Sequence, residues 1–156
     1  QWEEAADLFE SHTRVVKIRL GIILDKDNGA LPKILSIIKK GIGAPLGKGN
    51  QYMPWIHIND AVELFYYSLN NEKLNGAFNA VVSQHVNNVE FTHSLAKANN
   101  KKIRLPNVPA FIMKGIYGEL ADILLYGARI DNSKIIKEGF EFKFHSLEKA
   151  LNNIYN

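Results

Sequence analysis

Cysteine is missing from all 156 residues, which excludes disulfides, thiolate chemistry and every cysteine-based zinc site. No apolar run approaches the ~18 residues of a membrane span, and the N-terminus lacks the layout of a signal peptide. Charge of one sign is scarce: 19 Lys and Arg against 16 Asp and Glu leave a net +3. The lysines are spread over several expected helices rather than massed on one face, so nucleic acid is not an expected partner. Also absent are G-x-G-x-x-G or G-x-x-G-x-x-G after the first strand, a P-loop, H-E-x-x-H and G-x-S-x-G, so the chain holds no self-sufficient nucleotide-binding or hydrolase motif. The expectation is a soluble, cytoplasmic protein with no membrane association.

What is present suffices for one core, since 46% of residues are hydrophobic. "QWEEAADLFESH" puts Trp2, Ala5, Ala6 and Phe9 at helical spacing with acids opposite, and no capping residue precedes it. It reads as a helix entered midway, with an upstream portion missing. "RVVKIRLGIIL" is rich in β-branched residues and reads as a buried strand from about Arg14 to Leu20, leading to a turn at "DKDNG". Leu31, Ile34, Leu35 and Ile38 at i, i+3, i+4 and i+7 predict a helix with Pro32 in its first turn, ended by Gly41 and Gly43.

After the glycine-rich loop "GAPLGKGNQY", which lacks the spacing of a phosphate cradle, a strand is expected over Met53 to Ile58, then a helix from Asn59 or Asp60. Val62, Phe65, Tyr66 and Leu69 would be its buried stripe, and Asp60 with Glu63 resembles a capping box. "GAFNAVV" reads as a strand and "NNVEFTHSLAKA" as a helix with Phe91, Leu95 and Ala98 inward. Beyond "RLPNVPAF" come an apolar, glycine-punctuated stretch, a short helix "SKIIKEG" that Ser133 can cap, a strand "FEFKF", and a last helix with Leu147, Ala150, Leu151 and Ile154 inward.

His57 and Asp60 form an H-x-x-D pair, open to reading as a catalytic dyad or as two metal ligands. Capping explains Asp60 without further assumption, with His57 packed beside Trp55 and Met53; two candidate ligands do not make a metal site, and none is expected. His57 keeps a second reading as a pocket residue, because ligands of open α/β sheets bind at strand C-termini. His12, His85, His93 and His145 read as exposed or locally bonded.

"WEEAA", "VVKIRLGIILDKDNGALPKIL", "GAPLGKGNQYMPWIHINDAVELFYYSL", "NGAFNAVV", "LPNVPAFIMKGIYGELADILLYGARI" and "KIIKEGFEFKFHSLEKAL", in this order, resemble the C-terminal half of epimerase-like extended or atypical short-chain dehydrogenase/reductases. These are often labelled nucleoside-diphosphate-sugar epimerases and end in a small domain of unknown function. The resemblance implies an α/β fold: the second half of a Rossmann-like doubly wound parallel sheet plus a small, mostly helical C-terminal domain. Residues 1–105 would be the C-terminal part of the NAD(P)-binding domain, its N-terminal half missing, and 106–156 a substrate-side domain.

It further implies NAD or NADP in the full-length protein, with the glycine-rich loop and the tyrosine and lysine region upstream of Gln1, and no cofactor bound by these residues alone. Leu20, Gly21 and Ile22 would pass the nicotinamide, and Gln51, Trp55 and His57 would line the side of a small-molecule substrate such as a nucleotide sugar. No catalytic residue is assigned. The fragment itself is expected to be inactive, and either to form a homodimer through the exposed sheet edge or to bury that edge in another way. The alternative is a non-catalytic interaction or scaffold module of the same fold. One departure is "IDNSKII", where the family tail often has a proline before the lysine.

Overall fold

The computed structural model describes residues 2–118 and 120–156, with the backbone alone for Trp2, residues 116–117, Leu120 and residues 123–124. The chain runs α1 (Trp2–Asp7), β1 (Val16–Leu20), β2 (Ile22–Leu24), α2 (Ala30–Lys39), β3 (Trp55–His57), α3 (Ile58–Asn70), β4 (Gly76–Ala80) and α4 (Asn88–Ala98). The tail adds α5 (Ala110–Tyr117), α6 (Leu120–Leu125), α7 (Ser133–Lys137) and α8 (Leu147–Tyr155). All strand pairing is parallel, β1 with β4 and β2 with β3, which demands helical crossovers of the kind α2 and α3 provide.

Gly21 is where the chain changes partners. Its N–H donates to the Ala80 carbonyl at 3.2 Å, whereas the next N–H, that of Ile22, goes to Pro54 at 2.8 Å. The Trp55 carbonyl accepts from Val82 at 2.9 Å, so β3 lies between β2 and the chain that leaves β4. A Cβ on Gly21 would sit 2.7 Å from both the Pro54 oxygen and the Val81 side chain; only glycine leaves room for this crossing. The strand expected to end at Leu20 therefore continues as β2 after a change of neighbour.

The helical spacing of α2, α4 and α8 holds: Leu31, Leu35, Ile38, Phe91, Leu95, Leu147, Ala150 and Leu151 are all buried. Asn87 and Glu90 close a reciprocal capping box on α4. One hydrophobic cluster takes Leu24, Trp55, Phe78 and Phe91 together with Phe140, Phe142, Leu147 and Leu151, and α8 packs on α4. The tail thus helps to form the same core as the sheet.

Several expectations about these elements fail. In α3 the inward residues are Ala61, Leu64 and Ser68, and Val62, Phe65, Tyr66 and Leu69 face solvent; the helix is apolar on two sides, and the side around the fully buried Leu64 is the one turned to the core. Residues 140–144 form no strand; the N–H groups of Lys143 and Phe144 are taken by the Asp60 side chain rather than by a neighbouring strand. α1 ends at Asp7, leaving Phe9 beyond it, with Ala5 and Phe9 exposed and Ala6 half-buried; the Trp2 side chain expected on that face lies outside the described residues. Ser133 is the first residue of α7 rather than its cap, since its N–H and hydroxyl both donate to the Asp131 carboxylate.

Candidate functional site at the strand C-termini

The C-terminal ends of β2, β3 and β4 converge beneath the tail. His57 is the last residue of β3 and the N-cap of α3: its backbone is extended and its Nδ1 accepts from the Asn59 N–H at 3.1 Å. The cap is therefore His57 and not Asp60, which lies inside the first turn. Asp60 is 2% exposed, and its two carboxylate oxygens accept from the backbone N–H groups of Lys143, 2.9 Å, and Phe144, 3.1 Å. Phe144 stacks on the His57 ring with centroids 3.8 Å apart. The H-x-x-D pair is thus a joint between α3 and the tail, and among the described residues no group of three or more His, Asp or Glu could hold a metal ion.

Burial pushes the His57 imidazole below its ordinary pKa, opposed by the Asp60 charge and the Asn153 side chain. Trp55 is fully buried beside Ile22, and its indole Nε1 has no partner among the described residues. Gln51 is buried and donates to the Leu46 carbonyl at 3.1 Å. Asn88, also buried, accepts from the Leu46 N–H at 2.7 Å, so the glycine-rich loop is pinned from α4. Leu20 stands 42% exposed at the end of β1, next to Gly21. Gln51, Trp55 and His57 are therefore each buried behind the surface, while Leu20 reaches it.

The open part of the cleft is formed by other residues. A cavity of about 380 Å³ is lined by Ser83, His85, Asn132 and Ser133, by the charged side chains Asp131 and Lys137, and by Ile130 and Ile136. Asn132 is buried and fixed on both sides, donating to the Val81 carbonyl at 2.7 Å and accepting from the Ser83 hydroxyl at 3.2 Å. Asp131 lies beside it, its carboxyl held below the usual range by the Ser133 hydrogen bonds and, further off, by Lys137 and His85. Next to the cavity the Arg129 guanidinium sits 4.7 Å from the Tyr52 ring centre, and His85 meets the same ring edge-on at 6.1 Å. A side chain on Gly127 would collide with the Tyr52 carbonyl, so the tail passes this point in close contact.

Sequence reasoning missed Arg129, Tyr52 and Asn132 and read His85 as an uncommitted loop residue. The signal available was only that "GARIDN" follows an apolar stretch and ends in polar side chains; its partners lie 51 residues away for Asn132. Chemically the cleft offers one guanidinium, an imidazole, an aromatic face, an amide and the Asp131 carboxylate, a set suited to a polar, hydrogen-bonding ligand. Among the described residues no helix is long and apolar enough to cross a membrane.

Comparison with known proteins extends this picture. Residues 108–154 match the family described as a domain of unknown function, DUF1731. The chain is 32% identical over 155 residues to the epimerase family protein SDR39U1 of Mus musculus, a match over 99% of this chain and 53% of that protein. It superimposes on the crystal structure of human epimerase family protein SDR39U1 (isoform 2) with NADPH at a TM-score of 0.92 and 30% identity, covering 99% of this chain and 52% of the human one. UDP-glucuronic acid 4-epimerase from Bacillus cereus, solved with UDP-glucuronic acid and NAD, shares the fold at a TM-score of 0.73 and 14% identity, over 98% of this chain and 48% of that one. The chain spans about half the length of the curated relatives it matches. In sequence and in fold the chain is thus similar to about half of the epimerase family proteins, and its tail matches DUF1731.

Proposed function

We propose that this chain forms the substrate side of an NAD(P)-dependent nucleoside-diphosphate-sugar epimerase or reductase. The observation that carries the reading is the cleft at the strand C-termini, where open α/β sheets take their ligands, in a segment that matches half of an NADPH-bound relative. Bound NAD(P) would supply hydride transfer. This chain's own contribution is to bind, orient and shield. Leu20, Gly21 and Ile22 form the wall past which a nicotinamide would lie, a role that the exposed Leu20 side chain fits. No glycine-rich phosphate cradle occurs in the sequence, so the pyrophosphate of a dinucleotide needs the other half of the fold.

On the substrate side, Arg129 would supply the charge and His85 a hydrogen bond for a diphosphate, and the Tyr52 ring holds the guanidinium plane. Gln51, Trp55 and His57 stand behind them as the packed wall that fixes loop and tail. In this reading residues 1–105 belong to the cofactor-binding domain and 106–156 are its substrate-side cover. The non-catalytic alternative has one observation in its favour, the exposure of Phe111 and Tyr126 in the tail, at 75% and 71%.

Titration with NADPH tests the proposal. The 156-residue chain is expected to show no saturable binding, and the same chain fused behind the part of the human relative that it does not match is expected to bind. Saturable NADPH binding by the chain alone, or none by the fusion, would overturn it.

A further inference from the structure

One stretch of the sequence carries charge of a single sign. No acidic residue stands between Glu90 and Glu119, whereas Lys97, Lys101, Lys102, Arg104 and Lys114 all do. The middle of this stretch is folded into a cavity at the end of α4. A space of about 650 Å³ opens among His93, Ser94, Lys97, Asn100, Lys101 and Lys102. Ala96, which is buried, and Ile103, which packs against the core cluster, form its apolar base.

The shape of the cavity comes from Asn100. Its φ of 54° is the one positive value at a non-glycine residue among the described residues, and asparagine tolerates the left-handed region better than most side chains. The turn carries the Lys101 N–H to the Ala96 carbonyl at 2.9 Å and the Asn100 N–H to that of Lys97 at 3.0 Å, the pairing that closes a helix on a left-handed residue. The Leu95 carbonyl accepts from the Asn99 side chain at 3.1 Å. The last carbonyls of α4 are therefore met without the lysine side chains, which are not needed as caps. Lys97 has a partner, Glu148 at 3.0 Å. Among the described residues Lys101, Lys102 and Arg104 have none. Against the ammonium groups stand only Glu148 and the helix end, worth roughly half a negative charge, so the cavity keeps a positive surplus.

A concave site of this volume is in the range that holds small molecules, and a cleft lined by one sign of charge concentrates ions of the other. Beside the ammonium groups it offers a hydroxyl, an amide and an imidazole, so a compact anion finds several hydrogen-bond partners at once. We propose that this cavity binds a small phosphorylated anion, a diphosphate or a phosphomonoester, through Lys101 and Lys102, with His93, Ser94 and Asn100 completing the contacts. The site is separate from the cleft at the strand C-termini. α4 runs 11 residues, about 16 Å, and it is Asn88, at the other end, whose side chain holds the glycine-rich loop. The proposal does not rest on the function proposed for that cleft.

Inorganic pyrophosphate is the probe, titrated at constant ionic strength into the isotope-labelled 156-residue chain, with amide NMR shifts followed residue by residue. Saturating shifts at Ser94 and Asn100 are expected. Replacing both lysines, Lys101→Gln with Lys102→Gln, is expected to weaken that binding at least roughly tenfold, since charge-assisted hydrogen bonds are the strong ones. The control, Lys39→Gln with Lys40→Gln, removes the same charge from an exposed lysine pair at the end of α2 and is expected to change the affinity by less than about twofold, because distant exposed charges are screened. All four lysines are exposed, so both variants are expected to keep the fold, which their melting temperatures check. Equal affinity in the two variants would reduce the effect to net charge and overturn the proposal. So would the absence of saturable shifts at Ser94 and Asn100, or shifts confined to the residues around Arg129, which would put the anion in the other cleft.

Discussion

Replacing Asp60 with alanine removes a carboxylate that receives two backbone hydrogen bonds from a segment 83 and 84 residues further on. Hydrogen bonds to a charged acceptor contribute about 1.5–3 kcal/mol each, and the Phe144 N–H is left buried with no acceptor. The His57–Phe144 stack loses its anchor as well. Two such bonds put the expected cost at about 3–5 kcal/mol. For a chain of this size each kcal/mol moves the melting temperature by roughly 2–4 °C, so a fall on the order of 10 °C is expected.

Urea titration at constant m-value gives the free energy directly. Glu63→Ala on the exposed side of the same turn serves as the control and is expected to change stability by no more than about 0.5 kcal/mol. If Asp60 only capped α3 with Glu63 as its partner, both substitutions would cost about 1 kcal/mol. That outcome, or an Asp60→Ala variant within about 0.5 kcal/mol of the parent, would refute the clamp.

Gly21→Ala introduces a Cβ 2.7 Å from a carbonyl oxygen and a valine methyl; overpacking of this kind costs about 1–3 kcal/mol, read as a lower denaturation midpoint in urea. His57 is held neutral by burial, below the 6.5 of an ordinary imidazole. The unfolded chain therefore takes up its proton at higher pH than the folded one, and stability is expected to fall as pH drops below about 6.5. His57→Gln should flatten that slope, as judged from thermal melts between pH 7.5 and 5. Arg14→Met should fray the end of α3 by removing the donors to Ser68, Leu69 and Leu74, seen as faster amide exchange in the last turn of the helix.

Elements whose two sides differ in polarity were legible from spacing alone. α2, α4 and α8 each have one apolar row and it faces the core. α3 is apolar on two sides, and periodicity finds a row without telling which side is inward. The side with the larger residues looked like the core; the sheet instead takes Ala61, Leu64 and Ser68. Asp60 misled for a different reason. A carboxylate near the start of a helix has a sufficient local explanation, so nothing in the neighbouring residues points to Lys143 and Phe144. Likewise the ring of Tyr52 and the guanidinium of Arg129 meet only because the tail returns to the sheet. The glycine of "RLGII" did mark a real event, but the cause was the change of strand partner rather than anything a motif encodes.

The sharing of one core between sheet and tail also sets the order of events during synthesis. Phe91 and Leu95 leave the ribosome more than fifty residues before Leu147 and Leu151, the α8 residues buried in the same cluster. Until α8 follows, the apolar side of α4 has no cover from that helix. A nascent chain in that state exposes the kind of surface that recruits holding chaperones, and a stop codon anywhere before 147 would make the exposure permanent.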